Sequence, residues 1–281
     1  MSTDAPLVSI VTGGASGIGR ALVTELALRG GRVVVADRDQ AGARHTSSVL
    51  SGLGYAVSPA VLDVTDSAAL GELVRGVAAE EGRLDLMVNN AGIAVVGEVT
   101  DFGEEHWRRA LAINQVSVIE GSLAALSVMR EQPTRLIGWS RFGGRAVRGR
   151  ILNTASLAGL IIAPRMLPYL TTKHAVVAFS RGLALEAKDL GVGVHVLCPD
   201  FTDTPLLDQT AESPEGAENF RASAGTIQRT LGTPADVARA ALVGMDRERV
   251  LIPVGRMAQL LWRVERAAPR VFDALSVRTY R

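Results

Sequence analysis

The chain has 281 residues, and its 30 basic side chains nearly balance its 29 acidic ones, which gives a formal net charge of +1. Hydrophobic residues make up 47% of the chain, a share that excludes an intrinsically disordered protein, and the near-zero charge excludes a general attraction to nucleic acid. The single cysteine, Cys198, excludes an internal disulfide and a cysteine-rich zinc site, so we expect a reducing, cytoplasmic location and no metal.

Short apolar runs rich in valine and isoleucine alternate with longer amphipathic stretches along the chain. The runs are Leu7–Val11, Arg32–Ala36, Ala56–Leu62, Leu84–Val88, Arg150–Asn153, Val192–Leu197 and Val250–Val254. This alternation predicts one doubly wound, Rossmann-type α/β domain over residues 1–255, with a parallel sheet and helices on both faces. The N-terminus lacks a basic segment, and the chain has no run of 18 apolar residues. We therefore expect neither a signal peptide nor a transmembrane helix.

A glycine-rich turn follows the first run and precedes the first amphipathic stretch. Its glycines, Gly13, Gly17 and Gly19, are spaced G-x-x-x-G-x-G. Glycines in such a turn let the backbone approach a pyrophosphate at the start of a helix. We therefore predict that Gly13, Ser16, Gly17, Ile18 and Gly19 contact a dinucleotide, the alternative being a turn that binds nothing.

Polar residues follow the next three runs, where a cofactor on such a sheet would lie. Asp37 comes 20 residues after Gly17, near the spacing of a carboxylate that binds the ribose 2′-hydroxyl, which favours NAD. Arg38 leaves NADP open as the alternative, because an arginine can pair with a 2′-phosphate. Asp63 with Val64 could meet the adenine, and the small polar run Asn90, Ala91 and Gly92 could meet the ribose and nicotinamide.

Tyr169 and Lys173 are four residues apart at the start of a predicted helix, so they project from one face of it. A nearby ammonium and a positive nicotinamide ring would stabilise the phenolate and lower the tyrosine pKa by about three units, into the range of general acid–base catalysis. Ser156 follows the fifth run, and its hydroxyl could form a hydrogen bond with the reacting oxygen of an alcohol or carbonyl substrate. The alternative is a serine that only stabilises a turn. Asn114 lies inside the helical stretch Glu104–Met129, where it could hold a water for Lys173, or face solvent.

In chain order these motifs resemble the short-chain dehydrogenase/reductase family over about residues 5–255. The matching residues are the turn Thr12–Gly19, Asp63, Asn89–Gly92, Asn114, Ser156, Tyr169, Lys173 and Pro199. The resemblance implies a seven-stranded sheet, an NAD(P)-dependent oxidoreductase acting on CH–OH groups, and a catalytic tetrad of Asn114, Ser156, Tyr169 and Lys173. It also implies cofactor contacts by Tyr169, Lys173, Pro199, Thr202 and Thr204. Dimers or tetramers would form through helices at about 104–130 and 168–190.

Two segments depart from the family pattern. Asp200 stands where the family commonly has glycine after Pro199, so a positive φ there would carry some strain, and the contact of Thr202 with the carboxamide stays open. The segment 131–150 is long and rich in arginine, which indicates a solvated surface insertion or, alternatively, contact with a partner or an anionic surface.

Apolar residues near the predicted site indicate a hydrophobic secondary alcohol or ketone as substrate. We expect the pocket to be formed by Val95, Val96, Ser156, Leu157, Ile162, Met166 and Leu206, with Leu206–Thr230 as a cover.

Residues 256–281 are predicted to form a helical C-terminal extension. It would pack on its own subunit or a neighbour, close over an apolar pocket, or touch a membrane surface. A non-catalytic dinucleotide sensor or scaffold is the alternative to an enzyme.

Overall fold

The computed structural model describes residues 6–139, 144–208, 213–215, 221 and 231–279, with side chains to residue 274. Its main sheet has seven parallel strands in the order β3-β2-β1-β4-β7-β8-β9, which confirms the predicted doubly wound architecture. A separate antiparallel pair is formed by β5 and β6. The strands are β1 Val8–Thr12, β2 Arg32–Asp37, β3 Val57–Val61, β4 Leu86–Asn89, β5 Arg135–Ile137, β6 Arg145–Val147, β7 Gly149–Thr154, β8 Val192–Pro199 and β9 Leu251–Val254.

Helices cover both faces of the sheet. Those of the described residues are α1 Gly17–Ala27, α2 Gln40–Gly52, α3 Ser67–Glu81, α4 Glu104–Leu111, α5 Ser117–Met129, α6 Leu167–Glu186, α7 Pro234–Asp246, α8 Arg256–Ala267 and α9 Pro269–Thr279. One core cluster joins the sheet to α1, α2 and α7, and a second joins it to α3, α4, α5 and α6. Burial on both faces explains why the central strands are continuous apolar runs.

The strand order reverses at β1, which pairs with β2 on one side and β4 on the other. Chain connections leave the sheet in opposite directions from this point, so a crevice opens beyond the carboxyl ends of β1 and β4. The glycine-rich turn after β1 and the polar run after β4 both lie at this edge.

The stretch Glu104–Met129 is the one helix of the described residues that is long and apolar enough to cross a membrane, judged by length and composition alone. It consists of α4, a π-helical turn at Ala112–Val116, and α5. On α5, the buried residues Gly121, Ala125 and Met129 lie on the side that packs on the sheet and α3. A helix of the protein core passes the same test, so this is weak evidence for a membrane span.

The predicted surface insertion is in part a buried structure. Ile137 and Trp139 belong to the core cluster on the α1 side, whereas Arg141 and Phe142 lie outside the described residues. Arg150, at the start of β7, is fully buried. Its guanidinium donates to the carbonyls of Met245 and Ile137 and to Glu248 Oε1, the last at 2.6 Å. The expectation of a solvated arginine is therefore wrong for Arg150, because its charge is neutralised beneath the insertion.

We expect Arg150→Ala to lower the free energy of unfolding by on the order of 3 kcal/mol, because it leaves buried carbonyls without donors and opens a cavity. Arg145→Ala is the matched control: Arg145 approaches the same Glu248 at 4.0 Å but is 66% exposed, so its loss should change stability by less than about 0.5 kcal/mol. Urea unfolding of both variants measures the difference. Equal stabilities would contradict a structural role for Arg150.

Candidate active site

A cavity of about 610 Å³ opens at the carboxyl edge of the sheet, and we call it the cleft. Most of its wall comes from segments that directly follow strands β1, β2, β3, β4, β7 and β8. The predicted residues in this wall are Gly13, Ser16, Gly17, Ile18, Asp37, Arg38, Asp63, Val64, Asn90, Ala91, Gly92, Val96, Ser156, Leu157, Met166, Tyr169, Lys173, Pro199, Thr202, Thr204 and Leu206. The topology thus brings together side chains far apart in sequence.

The glycine turn is built for close backbone contacts. Gly13 and Gly17 have φ angles of +65° and +50°, which residues with a side chain rarely adopt. A Cβ on Gly19 would lie 2.0 Å from the carbonyl oxygen of Gly13. Gly19 is buried and outside the cleft wall, so it shapes the turn, and its direct contact with a cofactor stays a prediction. The side chain of Ser16 makes no capping bond at the start of α1, which leaves the first-turn N–H groups for an anion.

Two carboxylates lie at the end of the cleft formed by β2 and β3. Asp37 accepts hydrogen bonds from the backbone N–H of Ala15 and of Asp39, both at 3.0 Å. Asp63 accepts from Thr65 N at 2.9 Å and Thr65 Oγ1 at 2.7 Å, and these bonds hold the pKa of Asp63 below its usual value. Arg38, next to Asp37 in sequence, is exposed, and its charge lowers the pKa of Asp63 further. In the described part of the chain, no group of three His, Cys, Asp or Glu residues could hold a metal.

The polar run after β4 fastens the glycine turn to the sheet. Asn90 Nδ2 donates to the carbonyl oxygens of Thr12 and Gly13, at 3.1 Å and 3.3 Å. Beneath it, Asn89 Nδ2 donates to Asn153 Oδ1 at 2.8 Å. Asn153 in turn donates to Ser180 on α6. Sequence reasoning gave Asn153 and Ser180 no role. The signal that could have found this network was the presence of an asparagine in each of two buried strands, Asn89 in β4 and Asn153 in β7.

Ser156, Tyr169 and Lys173 meet at the centre of the cleft wall. Tyr169 and Lys173 lie one turn apart on α6, and Lys173 Nζ is 5.6 Å from the centre of the Tyr169 ring. Lys173 Nζ also donates to the carbonyl oxygen of Thr154 at 3.0 Å. Ser156 caps a short 3₁₀ turn at Leu157–Gly159, and its hydroxyl is hydrogen-bonded to Tyr169. The three groups are therefore held together by α6 and the end of β7.

Burial governs the titration of the tyrosine and the lysine. It raises the pKa of the Tyr169 phenol above its usual value, although the Ser156 hydrogen bond opposes this. It also lowers the pKa of Lys173 to about 8. The lowered Tyr169 pKa expected from the sequence included the positive nicotinamide ring of a bound cofactor, so it stays a prediction; in the protein alone, desolvation is the largest effect. The phenol is protonated at neutral pH and can act as a hydrogen-bond donor.

Asn114 lies at the π-helical turn between α4 and α5 and is fully buried. Its Oδ1 accepts from Ile93 N at 2.8 Å, and its Nδ2 donates to Ile93 O at 3.0 Å and to Thr172 Oγ1 at 3.3 Å. Asn114 is not part of the cleft wall, and its role in holding a water for Lys173 stays a prediction. Its hydrogen bonds fix the loop after β4 against α6. Turns of this kind are frequent at functional sites.

The substrate end of the cleft differs from the predicted wall at two residues. Val95 is fully buried in the core, because its neighbours Ala94 and Val96 take the positions facing the cleft. Ile162 is 52% exposed and lies outside the wall. Leu261 on α8 joins the wall instead, a residue that sequence reasoning assigned only to the apolar face of the C-terminal helix. The proposed cover beyond Leu206 lies largely outside the described residues.

An ion pair crosses the rim of the substrate end. Arg165 Nε donates to Glu98 Oε1 at 2.6 Å, and the N–H of Gly97 donates to the carbonyl of Arg165 at 2.8 Å. Arg165 has a φ of +60°, an uncommon conformation that such contacts help to maintain. The pair links the loops after β4 and β7, and its charges largely cancel at the rim.

Asp200, which stands where the family commonly has glycine, lies in the loop after β8. Its backbone N–H donates to Val254 O at 2.9 Å, and its φ is not positive. Aspartate therefore stands there without the strain considered from the sequence. Partial burial raises the pKa of the Asp200 carboxyl to about 6. Thr202 Oγ1 donates to the Asp200 carbonyl at 3.0 Å, while Thr204 packs near Gly17 across the cleft.

Comparison with known proteins gives consistent matches. A family model described as short chain dehydrogenase matches residues 7–215. Mouse 15-hydroxyprostaglandin dehydrogenase [NAD(+)] is 36% identical over 76% of this chain and 72% of its own. The probable oxidoreductase EphD of Mycobacterium tuberculosis is 31% identical over 92% of this chain. The chain spans only 43% of that relative's length.

Among solved structures, a short-chain dehydrogenase/reductase from Burkholderia phymatum in complex with NAD is similar. It has a TM-score of 0.80 and 25% identity over 96% of each chain. The likeness extends over nearly the whole sheet and its helices.

Proposed function

The chain belongs to the short-chain dehydrogenase family, and on that premise we propose that it transfers a hydride between NAD(H) and a hydrophobic secondary alcohol or ketone. The observation that carries this proposal is the group of half-buried Ser156 with buried Tyr169 and Lys173 in the wall of the cleft. The mouse relative is named for NAD(+), and the Burkholderia structure holds NAD, which supports the choice of cofactor.

The residues of the cleft fit a nicotinamide dinucleotide. The positive φ angles at Gly13 and Gly17 and the uncapped start of α1 leave backbone donors for a pyrophosphate. Asp37 would accept from the adenosine ribose, and Asp63 and Val64 would border the adenine. Asn90, Ala91, Gly92, Pro199, Thr202 and Thr204 would border the nicotinamide half. When bound, the cofactor supplies or accepts the hydride at C4 of its ring.

The chain's own residues would handle the proton. In reduction, the Tyr169 hydroxyl gives its proton to the carbonyl oxygen as that oxygen gains negative charge, and in oxidation it takes the proton back. Ser156 would orient the substrate oxygen through its hydroxyl. Lys173 would bind the ribose and stabilise the phenolate while it is deprotonated. We propose that Asn114 supports this arrangement as a positioning residue, through Ile93 and Thr172.

The substrate class follows from the other end of the cleft. Its wall is apolar at Val96, Leu157, Met166, Leu206 and Leu261. The basic side chain at the rim, Arg165, is already paired with Glu98. A neutral, hydrophobic alcohol or ketone would bury apolar surface there without leaving a charge unpaired.

NADP(H) is the competing cofactor because Arg38 also lines the cleft. Arg38 lies beside Asp37 and interacts with the charge of Asp63. These carboxylates weaken the attraction of Arg38 for a 2′-phosphate. We expect Asp37→Asn to lower the NAD-over-NADP ratio of kcat/KM by about 10-fold or more, because the carboxylate that repels a 2′-phosphate is lost. Asp39→Asn is the matched control, since Asp39 caps α2 and is outside the cleft wall.

Absorbance of the reduced nicotinamide, followed with a panel of alcohols and ketones and both cofactors, tests the proposal and this ratio together. A wild-type preference for NADP, or an unchanged ratio in Asp37→Asn, would contradict the role of Asp37. No turnover with any alcohol or ketone would overturn the proposed reaction.

We also propose a cytoplasmic homodimer or homotetramer. Leu111, Val116 and Leu123 on and between α4 and α5, and Leu185 on α6, leave apolar surface exposed on the helices that the family resemblance implies for assembly. Burying such residues against a second copy would remove that surface from water. Sedimentation of the purified protein gives its mass, and a monomer at micromolar concentration would refute the proposal.

A further inference from the structure

The C-terminal extension is packed onto the catalytic part of the chain. Ala258 on α8 and Phe272 on α9 are buried in one cluster with Leu157 and Ile161, both of which line the cleft. Leu261, one turn after Met257, reaches the cleft wall itself. The apolar face of α8 therefore serves its own domain, which favours the pocket-covering alternative over a membrane surface.

The start of α8 lies against Asp200. Gly255 precedes this helix with a φ of +98°, and a Cβ placed on it would be 1.7 Å from Asp200 Oδ2. The backbone N–H of Met257, in the first turn of α8, faces the Asp200 carboxylate and favours its charged form. A carboxylate in this position complements the donors and the positive end of the helix. The glycine at 255 cannot supply such a side chain.

We propose that Asp200 is a positioning residue that holds the start of α8 against the loop after β8, and that it thereby keeps Leu261 in the substrate wall of the cleft. The inference deepens the proposed function and rests on it for the identity of the substrate. The same loop carries Thr202 and Thr204, so one side chain would connect the nicotinamide end of the cofactor site with the wall that selects the substrate.

Hydrogen exchange of the peptide covering α8 tests the anchor without turnover. We expect Asp200→Ala to speed exchange of the first α8 amides by about 10-fold. Asp200→Asn, which keeps an acceptor oxygen, should stay within about threefold of wild type. Asp66→Ala is the matched control, because Asp66 caps α3 through Ala69 N at 3.0 Å and lies outside the cleft wall. It should loosen α3 alone. Unchanged α8 exchange in Asp200→Ala would overturn the anchor.

Steady-state kinetics with 2-alkanones from butanone to decanone test the wall. We expect Leu261→Ala to lower the ratio of kcat/KM for 2-decanone over 2-butanone by about 10-fold, since a leucine contact with the long chain is lost. Asp200→Ala should shift the ratio in the same direction and Asp200→Asn should restore it. Leu260→Ala, on the same helix but 59% exposed, should leave it unchanged. Equal ratios in Leu260→Ala and Leu261→Ala would refute the role of Leu261.

The two proposals fail in different ways. If wild type reduces none of these ketones, the proposed function is wrong, while exchange of α8 still decides the role of Asp200. Binding of the apolar dye Nile red would then decide the role of Leu261: weaker binding to Leu261→Ala than to Leu260→Ala supports it, and equal binding refutes it.

Discussion

Tyr169→Phe is expected to reduce turnover by about 10²- to 10⁴-fold, the range that a positioned general acid–base contributes. The substitution removes one hydroxyl and keeps the ring, which is 8% exposed and packed among Ala158, Met166 and Leu170. Because the proton would have to come from another group, the chemical step slows while the packing of the wall persists. Turnover is measured from the absorbance of the reduced nicotinamide.

Cofactor binding separates loss of chemistry from loss of the site. Calorimetric titration with NADH should give Tyr169→Phe a dissociation constant within about threefold of wild type, because most predicted cofactor contacts lie outside Tyr169. Tyr55→Phe is the matched control. Tyr55 packs beside the core cluster near α2 and is outside the cleft wall, so its activity should stay at the wild-type level. Undiminished turnover in Tyr169→Phe would refute the acid–base assignment.

Lys173→Met is expected to lower turnover by at least about 10²-fold, whereas the free energy of unfolding should change little. Lys173 is buried, and its pKa is lowered from 10.5 to about 8, a shift equivalent to about 3 kcal/mol against the charged form. Methionine fills a similar length without a charge, although the carbonyl of Thr154 loses its donor, at a cost of about 1–3 kcal/mol. These effects oppose each other, so at pH 7 we expect a stability close to wild type.

The difference in stability between wild type and Lys173→Met should change with pH in one direction. At pH 7 Lys173 is protonated in both the folded and the unfolded state, so the full penalty of burying the charge is present. Between about pH 8 and 10.5 the folded protein releases this proton first, and the unfolded state then binds more protons. Wild type should therefore gain stability relative to Lys173→Met across that window. Burial raises the pKa of Cys198 from 9.0 to about 12, and because both proteins carry this thiol, its effect on stability is common to them.

Urea unfolding of both proteins at several pH values measures this difference. Lys188→Met, the other lysine of the chain, is the matched control and should keep turnover and show no such change. A constant stability difference between wild type and Lys173→Met from pH 7 to 10.5 would show that the lysine is not buried as a cation.

Local patterns in the sequence were sufficient to predict the architecture and the class of enzyme. Apolar runs of strand length alternate with amphipathic stretches, and this period alone predicts a doubly wound sheet. The glycines at 13 and 17, and the spacing of Tyr169 and Lys173, depend on the geometry of one turn and one helix. Such features are encoded within a few neighbouring residues, so they can be recognised before any tertiary contact is known.

Burial, pKa values and contacts depend on residues that are distant in sequence, so only the tertiary structure determined them. Val95 and Val96 are adjacent in sequence, yet packing turned one into the core and the other into the cleft. Burial, a property of the whole fold, raises the pKa of Tyr169 in the protein alone, an effect that the spacing of Tyr169 and Lys173 could not indicate. Asp200 and Met257 are 57 residues apart and meet only because β8 and β9 pair at the sheet edge. Side-chain spacing determines which groups can act together, but only packing determines which of them reach water, a ligand or one another.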